Sequence, residues 1–275
     1  MATLNAVIGW LFDRLLAPLA MLSPLAGVAV VSLVTAVAML LCIRAASNQA
    51  RLAEVKRQIH ACIFECRLFQ DDLPAVFRAL GEMLRRNVVY VGLSLRPLLW
   101  AAVPLALLLT QLDLFFGYRS PVHERLLLTA RIRDAAALPN GPASASLEAP
   151  DGVRVLTPPI WIPATGELLW KVEPTEAGTY VVRVRIGAWT FDKTLVASDG
   201  PARRSPVRVA EGLIAQVVHP AEAPIPGNSP VSELRVGYTT GTVELLGWQM
   251  PWMAPFFLFS VLWGAGLKRP LKVTM

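Results

Sequence analysis

Residues 24–43 read PLAGVAVVSLVTAVAMLLCI, a run of twenty residues without a single charged side chain. A helix needs about 20 apolar residues to cross a bilayer, so this run predicts a transmembrane span. Residues 97–116 predict a second span, and residues 248–267 predict a third. In the third span, Trp248 and Trp252 are expected to lie at the membrane interface, where tryptophan is enriched. The fold class expected is therefore an α-helical membrane protein with three spans.

The composition of the whole chain agrees with a membrane protein. Of its 275 residues, 54% are hydrophobic and only 17% are charged, and the mean hydropathy is +0.49. Soluble domains carry about 25% charged residues, so an ordinary soluble enzyme is not expected. The net charge of +6 is compatible with nucleic-acid binding, but the hydropathy favours a membrane.

The positions of the basic residues predict the orientation of the spans. Segment 44–96 holds nine basic and five acidic residues, and the tail 268–275 adds three basic ones. Basic residues favour the cytosolic side, so both segments are expected there, in a bacterial-type inner membrane. The N-terminus and the neutral segment 119–245, with 13 residues of each charge, are then expected outside. The positive charge is thereby explained by orientation, and DNA is not an expected partner.

Residues 1–23 predict a helix that lies on the membrane surface. One face is apolar, and the adjacent Asp13 and Arg14 are the only charged residues. The alternative is that this segment extends the first span. The predicted apolar face comprises Leu4, Val7, Ile8, Leu11, Leu15 and Leu19.

Segment 44–96 predicts a helical hairpin. Apolar residues recur every three or four positions in two stretches, and the run Asp71-Asp72-Leu73-Pro74 supplies a turn and a helix start between them. The first apolar face comprises Leu52, Val55, Ile59, Cys62, Ile63, Cys66 and Phe69. The second comprises Leu73, Val76, Phe77, Leu80, Met83 and Leu84.

The basic residues of this hairpin form a candidate binding surface for anionic lipid, ribosomal RNA or an acidic partner. They are Lys56, Arg57, Arg78, Arg85 and Arg86. The alternative is that they are solvated residues that only set the orientation. His60, Cys62 and Cys66 lack a fourth ligand for a metal ion, so neither a metal nor a cofactor is expected.

The outer segment 119–245 has the period-two pattern and the Pro/Gly-rich turns of an antiparallel β-sandwich. Glu176-Ala177-Gly178-Thr179-Tyr180 resembles the tyrosine corner of immunoglobulin-like domains, and Trp170 is expected in the core. The segment contains no catalytic motif, so binding is favoured over catalysis. The predicted strands are 125–133, 168–172, 180–186, 190–197, 207–218 and 234–245.

The membrane half resembles the first part of the YidC/Oxa/Alb membrane insertase superfamily, over about residues 5–116. The residues that carry the resemblance are Trp10-Leu11-Phe12 in the surface helix, Ile43-Arg44 at the end of the first span, and Arg96-Pro97-Leu98-Leu99 with Pro104 in the second. The usual core of that superfamily has five spans, whereas three are predicted here, with a β-domain inserted between the second and the third. A complete groove would then require a partner chain.

The resemblance implies a polar groove open to the cytosol, into which an arginine projects to attract the inserting segment. Arg44 is the residue in the matching position, and the alternative is that it only marks the membrane interface. Inserting an arginine at the centre of the bilayer costs about 2.5–3.5 kcal/mol, so Arg44 is not expected to face lipid deep in the membrane. The other candidate groove residues are Ser47, Asn48, Gln49, Ser94, Arg96 and Gln111.

The function expected is non-enzymatic assistance to the insertion, folding or assembly of other membrane proteins. The alternative is a structural subunit of a larger inner-membrane complex that binds partners through its immunoglobulin-like domain. Expected partners are membrane lipids and either client membrane proteins or a partner membrane subunit, and the ribosome is a further candidate.

Overall fold

The computed structural model describes residues 2–46, 49–69, 71–133 and 144–270. Four α-helices come first, and short strands follow in the second half of the chain, together with two further helices. The helices are α1 (Ala2–Leu16), α2 (Pro24–Ala46), α3 (Gln49–Leu68), α4 (Leu73–Phe116), α5 (Leu213–Val218) and α6 (Met253–Leu267). A 3₁₀ helix, Ala17–Met21, lies between α1 and α2.

The named strands of the described residues pair with one another in the antiparallel direction. They are β1 (Tyr118–Arg119), β2 (Leu126–Ile132), β3 (Ala145–Glu148), β4 (Val153–Val155), β5 (Ile160–Ile162), β6 (Glu167–Pro174), β7 (Gly178–Ile186), β8 (Trp189–Ala197), β9 (Val207–Val209), β10 (Val231–Val236), β11 (Thr239–Thr240), β12 (Thr242–Leu245) and β13 (Trp248–Pro251).

The chain divides into two compact units. One consists of residues 1–28 with 107–255 and holds α1 and the strands. The other consists of residues 29–106 with 256–275 and holds most of α2, α3, most of α4 and most of α6. Each unit is therefore built from segments that are far apart in the sequence.

Two of the described helices have the length and apolar composition needed to cross a bilayer, namely the segment Pro24–Ala45 of α2 and the helix α4. Polar residues within α2 are accommodated by the helix itself. The hydroxyls of Ser32 and Thr35 are buried and donate to the backbone carbonyls of Ala29 and Val31 at 2.8 Å. Such bonds satisfy hydroxyl groups inside an apolar helix.

The predicted boundary between the hairpin and the second span, at residues 96 and 97, does not interrupt the helix. α4 is a single helix of 44 residues, and Pro97 and Pro104 lie within it. Its start was predicted correctly, since the carboxylate of Asp72 accepts a bond from the amide of Ala75 at 3.3 Å. The second arm of the hairpin and the second predicted span are thus one continuous helix.

The third predicted span was placed too early in the sequence. Residues 248–251 form β13, which pairs with β12 through a tight turn in which Leu246 and Gly247 have φ of 54° and 82°. α6 begins only at Met253 and has 15 residues, which at 1.5 Å per residue is about 22 Å. Trp252 is buried rather than interfacial, because its indole donates to Asp113 at 3.0 Å and its ring lies against Phe116.

The strands build a two-layer sandwich, as predicted. One sheet has the order β4-β6-β2-β10-β9, with β5 also paired to β6, and the other has the order β3-β7-β8. Residues from both sheets form one buried apolar cluster that contains Trp170, Leu128, Val184 and Leu195. The Trp170 side chain is 1% exposed, which confirms its predicted place in the core.

Two predicted strands were wrong in extent. Segment 207–218 is a strand only over β9 and then turns into the helix α5, and segment 234–245 contains parts of three strands, β10, β11 and β12. Strands β3, β4 and β5 were not predicted because each has only three or four residues, too few for a period of two to be recognised. The predicted tyrosine corner is present as a bond from the Tyr180 hydroxyl to the carbonyl of Glu176, 3.0 Å long.

Candidate functional site

The helix α4 carries a long stripe of exposed apolar residues. Successive residues of the stripe are separated by 4, 3 and 4 positions, and the same spacing then repeats. This is an 11-residue repeat, which corresponds to 3.67 residues per turn over three turns. Such a period is close to that of a straight helix, so the stripe runs nearly parallel to the helix axis. Each of these side chains is between 40% and 73% exposed. We call this surface the α4 stripe, and it comprises Leu73, Phe77, Leu80, Leu84, Val88, Val91 and Leu95.

The opposite side of α4 faces α3. The residues of α4 that line the space next to α3 include Ala75, Ala79, Glu82 and Arg86, which repeat the 4-3-4 spacing two positions after the stripe. Two positions correspond to about 200° around the helix. Small and polar residues therefore line the space next to α3, and the α4 stripe points away from it. Of the six residues predicted on the apolar side of this helix, Leu73, Phe77, Leu80 and Leu84 are exposed, and Val76 and Met83 are half-buried.

A cavity of about 730 Å³ lies between the two arms of the hairpin. Of the seven residues predicted on the first apolar face, Leu52, Val55 and Cys62 are buried, Ile59 and Cys66 are half-buried, and Ile63 and Phe69 are exposed. The residues that line the cavity are mostly polar or small, and they include Gln58, Glu65, Asp72, Ala75, Arg78 and Arg86.

Three of the five residues of the predicted basic surface of the hairpin form ion pairs. Arg57 is exposed and paired with Glu54 at 2.5 Å, while Arg85 and Arg86 share Glu82 at 2.8 and 2.7 Å. Arg86 also bonds to Gln58 across the hairpin. Lys56 is exposed, and Arg78 is exposed at the edge of the cavity.

The candidate groove residues are not brought together around the hairpin cavity. Arg44 is exposed near the end of α2, and in α4 Ser94 is half-buried and Arg96 is exposed. Gln111 is 4% exposed and so does not line an open groove. Ser47 and Asn48 lie outside the described residues, and Gln49 is the first residue of α3. The groove stays a prediction.

In the other unit, α1 is attached to the sandwich by polar contacts along one of its sides. The amide of Asn5 donates to the carbonyl of Gln216 in α5 at 3.1 Å. The guanidinium of Arg203 donates at 3.1 Å both to the carbonyl of Gly9 and to the carboxylate of Asp13. Asn5, Gly9 and Asp13 are spaced by four residues and therefore share one side of α1. We call these three contacts the α1 latch.

The α1 latch borders a cavity of about 300 Å³ that is also lined by the segment 220–224. Glu222 lies in this wall, and its carboxylate accepts bonds from Lys193 (2.5 Å), from the Ser205 hydroxyl (2.6 Å) and from the Thr194 amide (2.6 Å). The Lys193 side chain is fully buried, and it also donates to the carbonyl and the hydroxyl of Ser205 at 2.6 and 2.9 Å. Its three ammonium protons thus all have acceptors.

This buried network anchors the 220–224 segment to β8. Burial alone would raise the pKa of Glu222, but the charge and hydrogen bonds of Lys193, with those from Ser205 and Thr194, outweigh it and hold the pKa below its usual value. Ser205 is 5% exposed and its hydroxyl donates to a carboxylate that Lys193 neutralises. The geometry therefore suits a structural anchor rather than an activated nucleophile.

The sequence contains a signal for this network, although Lys193 belongs to no recognised motif. Lys193 stands between Phe191 and Leu195 in β8, and all three point inward with period two. A lysine at an inward position of a strand requires a buried acceptor. The identity of that acceptor, Glu222, depends on a contact 29 residues away in the chain.

No family model, curated protein or solved structure matches this chain.

Proposed function

We propose that this protein assists the insertion or assembly of other membrane proteins by holding their apolar segments on the α4 stripe. The observation that carries the proposal is the α4 stripe itself, exposed on the side of α4 that faces away from α3. Soluble surfaces rarely expose a contiguous apolar patch of this kind without a partner. The proposal deepens the resemblance to the YidC/Oxa/Alb superfamily, which rests on short motifs.

The dimensions of the α4 stripe fit a transmembrane segment. Its 22 residue steps, from Leu73 to Leu95, span about 33 Å. A client helix of about 20 residues is about 30 Å long and would be covered over its whole length. Because the stripe is straight, the client binds as a straight helix alongside α4.

The α4 stripe continues toward the bilayer. Leu99, Trp100 and Val103, which follow it on α4, are exposed apolar residues of the proposed second span. A client held on the stripe therefore meets apolar side chains throughout its passage toward the membrane, and the free-energy cost of exposing it to water is reduced.

The topology that suits this role has three spans, with the N-terminus and the sandwich outside. α2 and α4 supply the first two crossings. α6 is shorter than the bilayer core, and it completes the third crossing if Lys268 and Arg269 extend their side chains to the headgroups. Arg44 then lies on the cytosolic side, where it is the candidate for attracting polar residues of the client.

Reconstitution of the full chain tests the proposal. Vesicles of phosphatidylethanolamine and phosphatidylglycerol, with and without the protein, receive a single-span client made by cell-free translation, and protease protection measures insertion. We expect more insertion with the protein than without it, and equal insertion would refute the proposal. Arg44→Ala and Arg44→Glu test the groove separately, since unchanged insertion with both would remove Arg44 from the mechanism.

Purification from cells distinguishes the second candidate function. If the chain is a structural subunit that binds partners through an immunoglobulin-like sandwich, it is recovered in a fixed ratio with one complex. If it handles clients, it is recovered with ribosomes and with a variety of membrane proteins. The tyrosine corner at Tyr180 is the feature that supports the immunoglobulin-like comparison.

A further inference from the structure

The exposed side of α1 is apolar, in contrast to the side that holds the α1 latch. Val7, Trp10, Leu11 and Leu15 are exposed by 63%, 62%, 47% and 59%. Their spacing places them on one side of the helix, as the apolar face predicted from the sequence requires. The charge on this side is limited to Arg14, whose guanidinium carbon lies 5.9 Å from the centre of the Trp10 ring.

The helix α5 of the sandwich adds a second exposed apolar surface next to α1. The two helices meet where Asn5 donates to the carbonyl of Gln216. On either side of Gln216, Ile214 is 82% exposed, and Val217 and Val218 are 40% and 50% exposed. This helix was predicted as part of a strand, so its exposed apolar residues were not anticipated.

We infer that α1 and α5 together form a membrane-contact surface, which holds the sandwich against the outer face of the bilayer. The partner is lipid rather than protein because of how α1 is joined to α2. Only seven residues separate Leu16 from Pro24, and five of them form the 3₁₀ helix. That connection spans at most about 20 Å.

The start of α2 confirms that this connection is short. A β-carbon placed on Gly27, in the first turns of α2, would lie 3.7 Å from the carbonyl oxygen of Leu19 in the 3₁₀ helix. If α2 crosses the bilayer, α1 is therefore kept close to the membrane surface. An exposed tryptophan flanked by an arginine and aliphatic residues is the composition of a helix that lies in that interface.

The α1 latch explains how this surface supports the sandwich. Asn5, Gly9 and Asp13 hold α5 and Arg203 on one side of α1, while the opposite side enters the lipid. The buried bond network of Lys193 and Glu222 fixes the 220–224 segment beside the latch. The inference requires α2 to span the membrane, but it does not depend on the insertase role.

Nitroxide labelling tests the inference in the full chain. Cys42, Cys62 and Cys66 are replaced by serine, and single cysteines are introduced by Val7→Cys, Leu11→Cys, Leu15→Cys and Ile214→Cys. The matched control is Val181→Cys, an exposed apolar residue of β7. The proteins are placed in nanodiscs of phosphatidylcholine and phosphatidylglycerol, and collision with oxygen and with a water-soluble nickel chelate is measured.

We expect the four test positions to collide more with oxygen and several-fold less with nickel than position 181. Nickel accessibility equal to that of the control would overturn the inference. Spin–spin broadening at positions 7, 11 and 15 would overturn it as well, because it would show that a second copy covers the surface. Neither result alters the insertion measured with the unlabelled protein, so the two proposals fail separately.

Discussion

The α4 stripe yields the sharpest prediction about function. The variant carries Phe77→Ser, Leu84→Ser and Val88→Ser, at side chains that are 69%, 58% and 73% exposed. Together these exposed fractions amount to about two whole side chains, and complete burial of one such side chain contributes about 1.5–3 kcal/mol. Losing the burial of all three side chains therefore weakens the free energy of client binding by about 3–6 kcal/mol. At 1.4 kcal/mol per tenfold, client affinity falls at least about 100-fold.

Two measurements check this prediction. Photo-crosslinking of a client segment, titrated against the protein in vesicles, measures affinity, and protease protection measures insertion. Stability should change by no more than about 0.5 kcal/mol because the replaced side chains are exposed. The control is Val155→Ser with Val181→Ser, two exposed apolar residues of the sandwich. If the triple variant binds and inserts clients as well as the original protein, the α4 stripe is not the client site.

Three further predictions concern the sandwich. Lys193→Met leaves the carboxylate of Glu222 buried without its ion-pair partner, so the free energy of unfolding falls by about 3–5 kcal/mol. The double variant Lys193→Met, Glu222→Leu recovers much of this loss, and chemical denaturation measures both. Folding lowers the pKa of Glu222, so its carboxylate stabilises the fold above its unfolded pKa of about 4.3. This stabilisation is lost as the pH falls through the folded pKa. Glu222→Gln should therefore show a smaller loss of thermal stability on acidification. Gly241→Ala places a β-carbon 2.2 Å from the carbonyl oxygen of Phe116 and costs about 1–3 kcal/mol, whereas Gly200→Ala meets nothing within 4 Å and leaves the melting temperature unchanged.

The sequence predicted the elements whose pattern is long and regular. The uncharged run at 24–43 corresponds to α2, and the surface helix at 1–23 corresponds to α1 and the 3₁₀ helix. Two sheets with a shared core and Trp170 at its centre were also expected. In each case the pattern extends over enough residues for the period to be recognised.

Other features depend on tight turns or on contacts between residues far apart in the chain, and a hydrophobicity pattern does not reveal either. The apolar run from Trp248 was expected to be a helix throughout, but the turn at Leu246 and Gly247 makes its first residues a strand. In α5, six apolar and polar residues follow Gly212 and have no recognisable period, so helix and strand were indistinguishable. The partner of Lys193 required knowledge of the tertiary fold.

The hairpin shows why an apolar face in a sequence does not by itself identify the side that is buried. The pattern of α4 predicted an apolar face, yet the residues of α4 that line the space next to α3 include Ala75, Ala79 and Glu82. Arg86 supplies a polar link between the two helices through its hydrogen bond to Gln58. Because the α4 stripe lies on the side of α4 that faces away from α3, a client can occupy it while the hairpin stays closed. Binding at the stripe then need not expend free energy on separating the two helices, which is the arrangement that a surface for transient apolar partners requires.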